Sequence, residues 1–151
     1  MRRGIPPLAL AGLLAVLMWL AARAFPQAVL PLPWRGLLCA TTGAAGLVLC
    51  ALGVLPFRRA GTTVDPTRPE RASALVTTGV YSMTRNPMYL GMLLLLVAWG
   101  LYLASTVGLV LAPPAFALYL DRVQIPSEER ALAAAFGSDY AGYARRVRRW
   151  L

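Results

Sequence analysis

Apolar residues gather along this chain into four runs, spanning about 5–22, 34–57, 87–104 and 106–120. A helix that crosses a bilayer perpendicularly needs about 20 mainly apolar residues, within a range of roughly 17–25. The first three runs meet that length and read as transmembrane helices. The first follows Arg2 and Arg3, as a signal peptide would, but its apolar stretch is long for a signal core. Phe25-Pro26-Gln27 is also a poor small-residue cleavage site, so a retained helix is expected. The second run carries the small residues Gly43, Gly46, Ala51 and Gly53, a series suited to close helix packing. Almost nothing separates the third run from the fourth, which predicts a tight hairpin. The fourth is short and contains Pro113-Pro114, a pair that removes backbone donors and predicts a bend or an early stop. A packing kink and the wall of a cavity both account for such a break.

The polar stretches fix an orientation. All fifteen basic residues are arginine, and with both chain ends inside, thirteen lie on the inner side against Arg23 and Arg35 outside. By the positive-inside rule, both termini, the long connection 58–85 and the tail share the cytoplasmic side of an inner membrane. The connection is polar and turn-rich, with Asp65-Pro66-Thr67 and Arg68-Pro69-Glu70, and reads as an ordered loop or short helices at headgroup level. In the tail, Ile125-Pro126-Ser127-Glu128-Glu129 carries helix-start chemistry: an early proline, a Ser cap and two first-turn carboxylates. Leu132, Ala135 and Phe136 then share a face. Gly137 fits a stop, and Ser138-Asp139 can cap a further helix bearing Tyr140, Tyr143 and Val147. The basic end, Arg145 to Trp150, suits anionic lipid with Trp150 at the interface. The expected fold is thus all-α and polytopic. It is a single domain over 1–151, with about four transmembrane helices and a cytoplasmic helical tail, 121–151.

Composition narrows the chemistry. Apolar residues make up 58% of the 151, above the roughly 45–50% of soluble domains. The net charge of +9 does not point to nucleic acid, because the arginines cluster between apolar runs rather than on a soluble face. Histidine is absent, which removes the commonest general base and metal ligand. Cys39 and Cys50 lie eleven residues apart on nearly one helix face, about 16 Å along the axis and too far for a disulfide. They read as small packing residues, and no metal site is expected.

Two constellations remain. The first is Gly79-Val80-Tyr81-Ser82-Met83-Thr84-Arg85-Asn86-Pro87-Met88-Tyr89-Leu90-Gly91. The second is Glu128-Glu129, followed by Phe136-Gly137, Tyr140 and Tyr143. Taken singly, each has an ordinary reading as a snorkelling arginine with a helix start, and as a capped surface helix. Both fall at cytoplasmic ends of transmembrane segments, so the fold can bring an Arg, an amide, aromatic rings and two carboxylates together. Such a set suits a zwitterion with a cationic centre. Arg holds a carboxylate, Glu accepts from ammonium or hydroxyl groups, and Tyr faces favour a sulfonium.

From Gly79 onward, the order Arg85-Asn86-Pro87-Met88-Tyr89-Leu90-Gly91, hairpin, Glu128-Glu129…Phe136-Gly137…Tyr140…Tyr143 resembles the isoprenylcysteine carboxyl methyltransferase and phospholipid methyltransferase superfamily. The resemblance implies an integral-membrane enzyme that moves methyl from S-adenosylmethionine to a lipophilic or small acceptor: a carboxylate, thiol or amine. It implies that Arg85, Asn86, Pro87, Tyr89 and Gly91 form one wall of the cofactor pocket. Glu128 and Glu129 form the other, with Tyr140 and Tyr143 packing or closing it; Arg85, Asn86 and Glu129 are then the catalytic candidates. Many members carry His where this chain has Asn86, and an amide keeps a donor and an acceptor but does not titrate near neutrality. Two rival classes are a non-catalytic membrane scaffold of the same fold and a small transporter subunit. The transporter usually needs an ionisable residue within a span, and between their ends the four runs have none.

Overall fold

The computed structural model describes residues 4–26, 32–59 and 74–151. The expectations for Arg2 and Arg3, and for the connection through Asp65 and Glu70, lie outside these residues. Among the described residues every regular element is helical: α1 (Pro7–Ala24), α2 (Arg35–Arg59), α3 (Pro87–Tyr102), α4 (Thr106–Tyr119) and α5 (Ile125–Arg146). A 3-10 turn, Gly79–Ser82, precedes α3, and a π turn, Leu120–Gln124, joins α4 to α5. The protein is a polytopic helical membrane protein. Its surface shows many large apolar side chains, among them Leu13, Val16, Leu37, Leu47, Val110 and Leu111, which lipid tails cover at no cost.

Helix α3 is central, packed on α2, α4 and α1. Its contact with α2 is backbone on backbone. A Cβ at Gly91 would stand 2.6 Å from Cys50 Sγ and 2.8 Å from the Gly46 carbonyl oxygen, and one at Gly53 would strike Met88. Dispersion between close-packed backbones is the chief adhesive available where lipid is as apolar as leucine. Gly43, Gly46 and Gly53 serve this seam, whereas Ala51 is exposed on another face. Both cysteines also face α3: Cys39 Sγ donates to the Ala98 carbonyl at 3.4 Å and Cys50 Sγ to that of Met88 at 3.7 Å. On the other side, Leu10 and Met18 of α1 join Leu96, Phe116, Leu120 and Ile125 in one buried cluster.

The expected hairpin is present. Ala104 takes a positive φ of 53° and Ser105 caps α4, its hydroxyl accepting from the Gly108 N–H at 3.1 Å. Two other expectations are corrected. Helix α4 runs through Pro113 and Pro114 rather than stopping, and it continues through the π turn into α5 as one rod as far as Gly137. Helix α4 is short as expected, with 14 residues before the π turn, and α3 is short as well, with 16. Ser127 therefore lies inside a helix and caps nothing. The π turn is what lets Pro126 sit there: the Ile125 N–H reaches back five residues to the Leu120 carbonyl, loosening the helix just where proline lacks a donor. Up to Gly137 the rod, residues 106–136, is about 46 Å long at 1.5 Å per residue, longer than the roughly 30 Å of a hydrocarbon core. Its first part, up to Leu120, is apolar, and charged residues enter from Asp121 onward. At Gly137 (φ 50°, ψ −120°) the rod breaks as expected, folding Tyr140, Tyr143 and Val147 back onto Leu132 and Phe136.

Candidate active site

Where α3 begins and the rod turns polar, charged and polar side chains converge. Arg85 stands just before Pro87, which starts α3 with its preset φ and no donor to waste. Its Nη1 forms an ion pair with Glu129 Oε1 at 2.9 Å and donates to the Tyr140 hydroxyl at 3.1 Å. Tyr89, one turn into α3, donates to Glu128 Oε1, which also accepts from Gln124 Nε2 at 2.6 Å. Tyr81 and Tyr143 brace this region: the Tyr143 hydroxyl donates to the Tyr81 carbonyl at 2.8 Å, and the Tyr81 hydroxyl to that of Gly53 at 3.2 Å.

The chain's last residues supply another wall. At Val147 the backbone is extended, and Trp150 packs against the α1–α3–α4 cluster. Arg149 turns inward: Nε and Nη2 grip the two oxygens of Glu129 at 3.2 and 2.7 Å, and Nη1 reaches Asp121 Oδ1 at 2.8 Å. This corrects the expectation that the whole basic end lies on lipid; Arg145, Arg146 and Arg148 are exposed, but Arg149 is not. The main chain adds to the strap. The Arg85 N–H donates to the Arg148 carbonyl at 3.0 Å, and Asn86 Nδ2 and Thr84 Oγ1 donate to that of Arg149 at 2.9 and 3.3 Å.

Of the residues singled out from sequence, Arg85, Tyr89, Glu128, Glu129 and Tyr140 come together. Asn86 is adjacent, but its amide is turned to the strap. Pro87 is buried at the helix start, and Gly91, about 200° around α3 from Tyr89, faces α2 rather than the carboxylates. The residues missed are Thr84, Asp121, Gln124 and Arg149. Gln124 stands four residues before Glu128, a spacing that pairs polar side chains on a helix and was the one available signal.

The electrostatics divide the site. Glu129 lies between two guanidinium groups. Glu128 has only neutral donors, Tyr89 and Gln124, among the described residues. Burial pushes its carboxyl up to about 7; Glu129 adds to the push, and the two hydrogen bonds hold it back. Tyr140 is raised by burial, with the Arg85 charge opposing. Among the described residues Arg85 Nε is buried without a hydrogen-bond partner. A buried orphan donor is uncommon and marks a place where another group belongs.

The fold and the site together define a helical membrane protein with a polar site at one bilayer face. A model of the phospholipid methyltransferase family matches residues 34–139. The chain is 32% identical over 142 residues to protein-S-isoprenylcysteine O-methyltransferase B of Arabidopsis thaliana, spanning 92% of this chain and 70% of that protein. It is also 35% identical over 105 residues to a probable protein-S-isoprenylcysteine O-methyltransferase of Oryza sativa subsp. indica, covering 68% of this chain and 53% of that one. The chain belongs to this phospholipid and isoprenylcysteine methyltransferase superfamily, and is a membrane methyltransferase of that type.

Proposed function

We propose that the chain transfers a methyl group from S-adenosylmethionine to a lipophilic acceptor, at the cytoplasmic face of an inner membrane with both termini inside. One observation carries the cofactor assignment: among the described residues Arg85 Nε is buried without a hydrogen-bond partner, while the Glu128 carboxylate meets only neutral donors. These two groups fit the two charges of an amino-acid zwitterion, and an uncompensated carboxylate favours a cation such as a sulfonium or an ammonium. Held there, the cofactor would supply an electrophilic methyl on a sulfonium, a neutral thioether being the leaving group when an acceptor's lone pair takes the methyl.

The protein's part is alignment. Arg85 Nε would donate to the carboxylate and Glu128 would stand against the positive end, while Tyr89 and Gln124 hold the Glu128 rotamer. Holding reactants in line is worth about 7–11 kcal/mol in favourable cases, so a site without histidine is sufficient for an acceptor that arrives nucleophilic. A carboxylate or thiolate needs no base. An amine acceptor has to arrive neutral, since Glu128 is engaged with the cation. The membrane setting and the isoprenylcysteine and phospholipid relatives favour an acceptor that enters sideways from lipid.

Isothermal titration of the detergent-purified chain with S-adenosylmethionine tests this reading. Saturable binding is expected, weakened at least tenfold by Glu128→Gln and by Arg85→Ala and unaltered by Arg130→Gln on the exposed face of α5. A flat titration with folded protein refutes it. Mass spectrometry of lipid extracts incubated with labelled cofactor then identifies the acceptor.

A further inference from the structure

Asn86 stands where a helix cap belongs. It is the N-cap residue of α3, and asparagine is among the best capping side chains, yet this one makes no capping hydrogen bond to the helix. Its amide reaches instead across 63 residues of sequence to the Arg149 carbonyl, at 2.9 Å. Thr84 Oγ1 donates to the same oxygen at 3.3 Å and accepts the Asn86 N–H at 3.2 Å, and the Arg85 N–H holds the neighbouring Arg148 carbonyl. Three consecutive residues, 84 to 86, thus grip two consecutive carbonyls of the strap.

We propose that Asn86 is a positioning residue: its amide clamps the C-terminal strap so that the Arg149 side chain is delivered to Glu129 and Asp121. The contacts close into a ring. Arg85 holds Arg148 through its main chain and Glu129 through its side chain; Glu129 is gripped by Arg149, and Arg149 is held by Asn86. Breaking the clamp frees the strap, removes one of the two cations from Glu129 and lets the Arg85 guanidinium swing toward the carboxylate left alone. The part Asn86 plays needs a permanent donor at the δ position and no titration. A neutral imidazole with its proton on Nδ1 meets the same need, whereas serine supplies a capping oxygen but is too short to reach the strap.

The consequence for ligand binding rests on the proposed S-adenosylmethionine reading; the clamp itself does not, and two measurements keep them apart. Hydrogen–deuterium exchange on the full chain in detergent, without ligand, reports the clamp. Exchange of the Arg85 amide and of the peptide carrying residues 147–151 is expected to rise about tenfold in Asn86→Ala and Asn86→Ser, the scale of one lost hydrogen bond, and to stay near wild type in Asn86→His. If Asn86→Ser protects as well as wild type, the residue is only a cap and the proposal falls. Titration with S-adenosylmethionine reports the coupling. Asn86→Ala is expected to weaken binding about tenfold in wild type but less than twofold in an Arg149→Gln background, since it acts through Arg149. Equal effects in both backgrounds overturn the positioning role. A chain that loses the clamp in Asn86→Ala, yet never binds S-adenosylmethionine, upholds the clamp and refutes the cofactor.

Discussion

Glu128 and Glu129 are neighbours in sequence and opposites in setting. Glu129 meets Arg85 and Arg149, three of their nitrogens on its two oxygens, all within 3.2 Å. Glu128 meets a phenol and an amide, both neutral. On one helix, adjacent side chains point about 100° apart. One carboxylate is thereby turned toward the strap, and the other toward α3 near the membrane edge. The first is an internal strut whose charge is already answered. The second carries the unanswered charge, which makes it the group with something left to offer a ligand.

Removing the strut is expected to do the most damage. Glu129→Gln leaves Arg85 without its anion and Arg149 with Asp121 alone, and a loss of about 2 kcal/mol in detergent thermal unfolding is expected for a partly buried network. Adding Arg149→Gln to that variant should recover part of the loss; no recovery would mean that the two cations do not share the anion's field. At Glu128 the expected signature is pH dependence. Its folded value of about 7 lies above the ordinary 4.5, so between those limits the folded chain holds a proton that the unfolded chain has released. Stability of the ligand-free protein therefore falls as pH rises through this window, with the full cost reached above about 7. Glu128→Gln should flatten that stretch of the profile, measured from pH 4.5 to 8; an unchanged slope would remove the contrast between the two carboxylates.

Smaller effects sharpen the comparison. Tyr89→Phe deletes a hydrogen bond that holds the Glu128 value down, so the same stability profile should shift to higher pH, with a cost of about 1 kcal/mol. The smallest change is expected from Asp121→Asn. Its ion pair with Arg149 sits at side-chain exposures of 39% and 31%, where such contacts contribute about 0–1 kcal/mol. A loss as large as that of Glu129→Gln would show that the strap is anchored at Asp121 rather than at Glu129.

Much of this fold was legible because membrane helices announce themselves by length and hydropathy, and because Gly137 and the Leu103–Ser105 hairpin have local causes. The site was legible only where a residue lies at a helix end: Arg85, Tyr89, Glu128, Glu129. Arg149 was hidden among Arg145, Arg146 and Arg148, since nothing local distinguishes the arginine that turns inward; its direction is set by the carbonyls that residues 84–86 hold. Ser127 misled for a related reason. Its sequence neighbours look like a helix start, and a helix was already running through them.

The π turn at Leu120–Gln124 has one more consequence. It acts as an extra count in the rhythm of the rod, advancing everything after it by about 100° of helical phase relative to an unbroken α-helix. The apolar stripe that α4 shows its neighbours and the face on which α5 displays its carboxylates are thus set independently, by a single residue. Deleting one residue between 120 and 124 would leave the span its length and hydropathy, yet rotate Glu128 and Glu129 out of reach of Tyr89 and Arg85, a gear slipped by one tooth.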